Sequence, residues 1–387
     1  MDLINQLKEK QIVKHGSFTL KSGATSDVYF NFKQLIAHPT LMTSVCYALT
    51  KLIIKPVTLC GVPMGAIAPA TIMSYITSLP MVLVRDDAKE YGLQNQIEGV
   101  ITPEVILVED VITTAGSVLK CIDVLNKHNI HVIQIIAILD RQAGGVSLLQ
   151  QQGYQVNCLY NMGDFSTTIT TPLMVKTCPI GEQLLLLSKQ KQSKIILSAD
   201  GDDLYNIIDV CGPHVCAVKL HADLFNDFDI DQLLLLKQKH QLLYIEDRKL
   251  SDIAYIGLKQ IQKIKQYADM VTVHGMCGKS LVQAIGKEIG VLIVHTMTTN
   301  DHLMDTLYQH RVSDMTCDNL VGYVSPNKVK DYLTLTTGIN LSQTNDNMNQ
   351  CYKTHSDGDL FIVGRGIYDG DSLQNVKRYQ HYYNTLV

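Results

Sequence analysis

V105-I-L-V-E-D-V-I-T-T-A-G-S117 is an apolar strand, two adjacent carboxylates and a turn of small residues in a single run. The strand delivers Glu109 and Asp110 to its carboxyl end, and the turn through Thr113, Thr114, Ala115, Gly116 and Ser117 opens a helix. Small residues let backbone N–H groups approach a phosphate, and the helix dipole adds positive potential there. The two carboxylates can accept hydrogen bonds from the vicinal hydroxyls of a sugar. The run therefore reads as a grip for a ribose 5-phosphate at the end of a parallel strand.

Outward from it, V57-T-L-C-G-V62, M81-V-L-V84 and V132-I-Q-I-I-A-I-L139 read as further strands, and S117-V-L-K-C-I-D-V-L-N126 has helical periodicity. Near-continuous apolar strands separated by helices indicate a parallel sheet covered on both faces. The segment from Asn161 to Pro172, reading NMGDFSTTITTP, is polar and turn-rich and marks a domain boundary. Beyond it, apolar runs at 195–200, 216–221, 242–247, 270–274, 291–297, 320–325, 333–339 and 360–364 alternate with helical stretches. Eight such strands suggest a closed (β/α)8 barrel of the TIM type, and the polar residues Asp200, Lys219, Asp247, His274, Thr298 and Arg365 fall at the strand ends that carry chemistry in such barrels. The expected organisation is an N-terminal domain over 1–163, a linker and connecting helix over 164–185, and the barrel over 186–387.

Composition excludes several classes. The chain has 387 residues, 46% hydrophobic and 18% charged, a length for two or three domains with ample material for buried cores. A net charge of −4 with no basic stripe argues against nucleic acid. No apolar run reaches the ~18 residues of a membrane span, and the start, M1-D-L-I-N-Q-L-K-E-K10, has no signal-peptide core. The ten cysteines are scattered without C-x-x-C spacing, as expected of reduced thiols in the cytoplasm, and no side chains are spaced as metal ligands.

At V105–S117 the chain resembles type I phosphoribosyltransferases, and F18-T-L-K-S-G23 with Tyr29 and Phe30, R85-D-D-A-K-E-Y-G92 and L139-D-R-Q-A-G-G145 narrow the resemblance to orotate phosphoribosyltransferase. The resemblance implies that Lys21 contacts the diphosphate, that Phe30 and Arg141 help hold orotate, and that Thr113 lies near the base and phosphate. Tyr29 belongs to the same segment. It also implies that Arg85 and Lys89, in a mobile basic loop, meet the departing pyrophosphate together with Mg²⁺. The second loop position, usually Lys, is Asp86, and the family's Ser-Pro is Ser26-Asp27.

D247-R-K-L-S-D252 would be an ordinary charge run on a solvated helix, but here it follows an apolar strand, and Lys219 follows the preceding one. The set resembles the Lys and Asp-x-Lys-x-x-Asp of orotidine 5′-monophosphate decarboxylase, over nearly all of 186–387. By this resemblance Lys219, Asp247, Lys249 and Asp252 are catalytic, S198-A-D200 contacts the ribose, M297-T-T299 with Thr298 covers the pyrimidine, and Gln350, Tyr352, Gly364 and Arg365 grip the phosphate. Decarboxylation leaves a vinylic carbanion that the ring cannot delocalise, so a nearby ammonium must stabilise and then protonate it without any cofactor, the role implied for Lys249. D252-I-A-Y-I256 lacks the threonine of the usual Asp-Ile-x-x-Thr. In order, the two halves resemble the bifunctional uridine 5′-monophosphate synthases. Orotate and phosphoribosyl diphosphate would give orotidine 5′-phosphate, then UMP and CO₂. A neighbouring subunit would complete both sites, so a homodimer is expected. The competing reading is a decarboxylase whose first domain is a sensor or scaffold.

Overall fold

The computed structural model describes residues 3–19, 25–85, 96–100, 102–165, 175–299, 301–342 and 350–385. It divides into two compact units, Met1–Thr171 and Pro172–Val387.

The first unit begins with α1 (Leu3–Glu9) and an antiparallel hairpin, β1 (Val13–Thr19) and β2 (Thr25–Phe30), followed by α2 (Pro39–Thr50). Then come β3 (Thr58–Gly61), α3 (Ile67–Thr77), β4 (Met81–Val84), β5 (Ile97–Glu98), β6 (Glu104–Ile112), α4 (Gly116–Lys127), β7 (His131–Asp140), α5 (Gly145–Gln151) and β8 (Val156–Asn161). The sheet order is β5-β4-β3-β6-β7-β8, parallel except for the β5 edge. β3 connects through α3 to β4 on one side, and β6 connects through α4 to β7 on the other. Right-handed crossovers running in opposite directions put α3 and α4 on opposite faces. Leu59, Val105 to Val108 and Ile135 to Leu139 are buried between them. The order reverses between β3 and β6, which opens a crevice at their carboxyl ends, where open α/β sheets bind ligands.

The second unit starts with α6 (Pro179–Gln190). Then β9 (Ile195–Ser198), α7 (Leu204–Cys211), β10 (Ala217–Leu220), α8 (Ile230–His240), β11 (Leu243–Leu250), α9 (Ala254–Ile264), β12 (Met270–His274), α10 (Lys279–Gly286) and β13 (Gly290–Val294) follow. α11 (Thr306–Ser313), β14 (Leu320–Val324), β15 (Thr334–Thr336), β16 (Leu360–Val363), α12 (Arg365–Tyr368) and α13 (Ser372–Thr385) complete it. β9 to β16 close into a parallel barrel in sequential order, β16 pairing with β9. Two strands end three residues short of their apolar runs. The run 291–297 leaves the ladder after Val294, and 333–339 after Thr336, because Thr296 to Thr298 and Thr337 to Ile339 turn away to line the cavity at the barrel mouth.

Period-2 alternation sorts each strand. Ile196, Ala217, Leu243, Ile245, Met270, Leu292, Leu335, Leu360 and Ile362 form the inner core, onto which Leu184 and Leu187 of α6 pack. Ile195, Leu197, Val218, Tyr244, Val271, Val291 and Ile293 face the helices. The inner parity continues upward to Ser198, Lys219, Asp247 and Thr272, so the register that fills the core also aims the charged residues at the mouth.

Candidate active sites

In the barrel unit, a cavity of about 370 Å³ is lined by Ser198, Asp200, Lys219, Asp247, Lys249, Thr298, Gln350, Tyr352, Gly364 and Arg365 among others. Asp247 is its electrostatic centre. Its Oδ2 lies 2.9 Å from Lys219 Nζ and 3.0 Å from Lys249 Nζ, and both Asp247 and Lys219 are nearly buried. Burial opposes its ionisation, but Lys219, His221 and Lys249 outweigh burial and hold the carboxyl well below the usual range.

β11 delivers Asp247 and Lys249 together through a register shift against β12, since Glu246 pairs with Val271 and Leu250 with Val273. Lys249 sits in the left-handed region, φ 48°, which a side chain of this size enters at a cost of about 1–2 kcal/mol. Thr272 fills the irregularity. Its hydroxyl donates to Asp247 Oδ1 at 2.7 Å and accepts from the Lys249 N–H at 2.9 Å.

His221, absent from the sequence-derived set, completes the array. Its Nδ1 lies 2.7 Å from Asp200 Oδ1 and its Nε2 3.2 Å from Asp247 Oδ2. Burial opposes its protonation, but the two carboxylates outweigh that and raise its pKa. Asp200 also accepts from Ser198 Oγ at 2.6 Å, and its own carboxyl is held low against burial by His221 and Lys219. With His221 protonated, three cations face two carboxylates, which suits an anionic ligand. The signal for His221 was its i, i+2 spacing from Lys219 on one strand face.

Elsewhere in the same cavity, Arg365 Nη2 donates to Gln350 Oε1 at 2.6 Å and to the Tyr352 hydroxyl. The three side chains converge as a polar grip. Asp252 does not join the cavity: it is exposed, and its Oδ1 accepts from the Ile253 N–H at 2.7 Å. His274 is not among the lining residues either, and its Nδ1 is buried without a hydrogen-bond partner.

The outer parity of β11 carries a second charged pair. Glu246 is fully buried and accepts from the Ala222 N–H at 3.2 Å. Arg248 reaches Glu246 at 3.3 Å and Asp223 at 2.8 Å. Both hold the turn that follows Lys219 and His221.

In the first unit, Glu109 and Asp110 stand at the β3/β6 switch point. The Asp110 N–H donates to Glu109 Oε1 at 2.8 Å. Burial, then Asp110, pushes the Glu109 carboxyl up to about 9. Gly65, after β3, packs so closely on the Asp110 carboxylate that a Cβ there would overlap it. Thr113, Thr114, Gly116 and Ser117 are exposed around the start of α4, and buried Ala115 takes φ 65° at its N-cap. Gly145 packs against the Thr113 carbonyl, which fixes the turn from behind.

Arg141 lies 5.9 Å from the Phe30 ring, and its Nη2 donates to the Val28 carbonyl at 3.3 Å. Phe30 itself is buried against Phe32 and Phe165, while Tyr29 is exposed and packs on Phe18. Arg85 pairs with Glu98 at 2.9 Å. Lys21, Asp86 and Lys89 lie outside the described residues.

The comparisons with known proteins cover both units. A profile for the phosphoribosyl transferase domain matches residues 46–150, and one for the orotidine 5′-phosphate decarboxylase / HUMPS family matches 193–379. The chain is 28% identical to the uridine 5′-monophosphate synthase of Bos taurus, over 98% of this chain and 95% of that one. It is 35% identical to the orotate phosphoribosyltransferase of Methanosphaera stadtmanae, over 42% of this chain and 94% of that one. It is 30% identical to the orotidine 5′-phosphate decarboxylase of Schizosaccharomyces pombe, over 52% of this chain and 88% of that one. A first domain kept only as a sensor or scaffold is not favoured by this two-domain match. The chain belongs to the uridine 5′-monophosphate synthase family, an orotate phosphoribosyltransferase domain and an orotidine 5′-phosphate decarboxylase domain in one polypeptide.

Proposed function

We propose that the Lys219–Asp247–Lys249 chain of ion pairs in the barrel cavity carries the decarboxylation of orotidine 5′-phosphate, and that observation supports the reading most strongly. The C6–carboxylate bond breaks, CO₂ leaves, and the electron pair stays on C6. The Lys249 ammonium stabilises that pair and then transfers a proton to it, giving UMP. The array is held by fixed neighbours, so little reorganisation is needed as charge moves. Ser198 and Asp200 hold the ribose, Thr298 covers the base, and Gln350, Tyr352, Gly364 and Arg365 grip the phosphate, whose binding energy is used at the distant carbon. The step needs no metal or organic cofactor. Lys249→Ala should abolish turnover with an unchanged circular-dichroism spectrum, and undiminished turnover in that variant would refute the assignment.

We infer that the first domain forms the substrate, transferring phosphoribose to orotate at the switch-point crevice. Glu109 and Asp110 take the ribose hydroxyls, and the Thr113–Ser117 turn takes the 5-phosphate. Phe30, beside exposed Tyr29, and Arg141 hold orotate; Lys21, Arg85 and Lys89 meet the diphosphate. Among the described residues no group of three or more His, Cys, Asp or Glu could hold a metal ion. One or two carboxylates plus substrate oxygens are what Mg²⁺ ordinarily uses, so Asp110, joined by Glu109 once that buried carboxyl gives up its proton, fits an ion that arrives with phosphoribosyl diphosphate. Mg²⁺ would neutralise charge on the departing pyrophosphate.

The proposed domains are 1–163 and 186–387, joined by 164–185. The working unit is proposed to be a homodimer in which Asp252 serves the neighbour's cavity. Support comes from exposed Ile253 and Tyr255 directly after Asp252, and from exposed Leu224, Met276 and Leu303 after β10, β12 and β13, large apolar side chains of the kind interfaces cover. Mixing inactive Asp252→Ala and Lys249→Ala chains should restore turnover through hybrid sites. The protein is proposed to act in the cytoplasm on small molecules, with neither nucleic acid nor membrane as partner. No described helix is long and apolar enough to cross a membrane.

A further inference from the structure

The last helix, α13, touches the backbone that follows Tyr352 and the turn that begins at Arg365. Val376, Tyr379 and Tyr383 are buried at i, i+3 and i+7 and form its inner face. Gln380 fastens it from one side, its Nε2 donating to the Lys191 and Gln192 carbonyls at 3.0 Å each.

Three hydrogen-bonding side chains leave that helix for three places. The Tyr383 hydroxyl donates to the Thr354 carbonyl at 2.8 Å, two residues beyond Tyr352. The Tyr379 hydroxyl accepts from the Leu341 N–H at 2.9 Å and lies 3.5 Å from Asn340 Oδ1. Asn340 in turn receives the Ser342 N–H at 2.8 Å, and its own N–H donates to the Lys353 carbonyl at 3.1 Å. Asn375 Nδ2 donates to the Ile367 carbonyl at 3.1 Å and the Asp369 carbonyl at 3.3 Å, and so holds the turn that begins at Arg365. Tyr379 also packs on Gly366 so closely that any Cβ there would overlap its hydroxyl.

The tyrosine hydroxyls are the informative atoms. Their rings are explained by packing, as Tyr383 stacks on Phe361 with centroids 4.0 Å apart. Phenylalanine would pack as well. The hydroxyls bind one backbone carbonyl two residues beyond Tyr352 and one backbone N–H next to Asn340, two half-buried bonds that phenylalanine could not make. The bonds therefore tie down the chain just beyond Tyr352 and just beyond Arg365, and Asn375, Tyr379 and Tyr383 do not line the cavity.

We propose that the inner face of α13, through Asn375, Tyr379 and Tyr383, is the positioning element of the phosphate-binding end of the decarboxylase cavity. The proposal rests on the reading of Gln350, Tyr352 and Arg365 as phosphate ligands. It makes phosphate recognition depend on a helix outside the cavity, and it assigns these tyrosines as positioning residues rather than catalytic ones.

The test is competitive inhibition of decarboxylation by UMP and by uridine, in the full chain, for the wild type, Tyr379→Phe, Tyr383→Phe, the double Phe variant and Arg365→Ala. A lost buried hydrogen bond corresponds to roughly a threefold to tenfold change, so the double variant should weaken UMP by about tenfold or more while uridine stays within about twofold. kcat/KM for orotidine 5′-phosphate should fall in parallel with UMP affinity. A general loosening of the barrel would weaken both inhibitors together, and that result overturns the proposal, as does unchanged UMP affinity in the double variant. Arg365→Ala separates the two layers of argument. If it collapses the preference for UMP over uridine while the double Phe variant does not, the positioning role fails and the phosphate assignment stands. If Arg365→Ala leaves the preference intact, the phosphate assignment fails and the proposal falls with it.

Discussion

Asp247→Asn removes one charge and almost no volume, and its two consequences can be measured apart. The Asp247 carboxylate is 2.9 Å from one ammonium and 3.0 Å from another. At an effective dielectric of 20, each pair is worth about 5–6 kcal/mol before desolvation is counted. Desolvation consumes most of that, so the useful figure is the cost of stranding the buried partner. Lys219 is 7% exposed, and removing one member of such a pair costs about 3–5 kcal/mol. Lys249 is more exposed and contributes less to stability, but it loses the anion that aims its ammonium. Turnover should therefore fall by about 10²-fold or more, as when one preorganised group is removed from a transition state. Hydrogen exchange suits the measurement, because a chain of two units has no single unfolding midpoint. The amides of β10 and β11 should lose about 3–5 kcal/mol of protection, while those of β6 and β7 keep theirs. Lys219→Met placed on Asp247→Asn should restore about 2 kcal/mol or more of that protection, because the stranded charge is gone, without restoring turnover. Loss below about 1 kcal/mol, with no coupling in the double variant, would mean that the pair is screened by solvent, and the electrostatic account would be wrong.

Thr272→Val removes the hydroxyl that joins Asp247 to the Lys249 backbone, and should cost about 1–3 kcal/mol at β11 and lower kcat more than UMP affinity; equal losses in both would refute its role in aiming Lys249. Gly65→Ala should abolish orotidine 5′-phosphate formation and leave decarboxylation within about twofold, because its Cβ would collide with Asp110, a residue of the first unit's crevice and not of the barrel; parallel loss of both activities would contradict this. His295 is held neutral by burial, with a pKa of about 4. A base whose folded pKa lies below its unfolded value of ~6.5 contributes stability above pH ~6.5 that is lost as pH falls toward 4, up to about 3 kcal/mol. His295→Phe should therefore flatten barrel protection between pH 7 and 4, and an unchanged acid loss in that variant would remove His295 as the cause.

The barrel was legible because its strands are buried on both faces and read as continuous apolar runs. The strand ends were less so. Val294 and Thr336 are followed by residues of similar character, and only the cavity they line explains why the ladder stops there. The β1–β2 hairpin was missed because V13-K-H-G-S-F-T19 has little apolar character and its pairing slips between His15 and Phe18. β8 was missed for a related reason: it is a half-buried edge strand, V156-N-C-L-Y-N161, with little apolar continuity. In the barrel cavity, the expected residues sit on their own motifs and converge, except Asp252, which is exposed outside it. His221 escaped notice because its partners, Asp200 and Asp247, follow or lie on two other strands, and its i, i+2 spacing from Lys219 gives its facing but not those partners.

The run E246-D-R-K249 shows how four consecutive charges can serve two purposes. On a regular strand, alternate residues face opposite sides, so a continuous run of charges should bury half of them where helices pack. Here the buried half is used. Glu246 and Arg248 face away from the cavity, and each finds a partner in the turn after β10: Glu246 takes the Ala222 N–H and Arg248 takes Asp223. Asp247 and Lys249 face the cavity, where Asp247 pairs with Lys249 and with Lys219, which lies just before that same turn. The outer pair thus fixes the backbone from which Lys219 and His221 project, while Asp247 of the inner pair fixes their side chains. A single strand controls the neighbouring strand's end from both sides. The left-handed Lys249 and the slip against β12 follow from the same demand, because a regular strand could not hold Asp247 and Lys249 on one carboxylate–ammonium contact while keeping Thr272 between them. The irregularity is therefore the local cost of concentrating charge in one place, and the buried outer pair is what keeps that place from shifting.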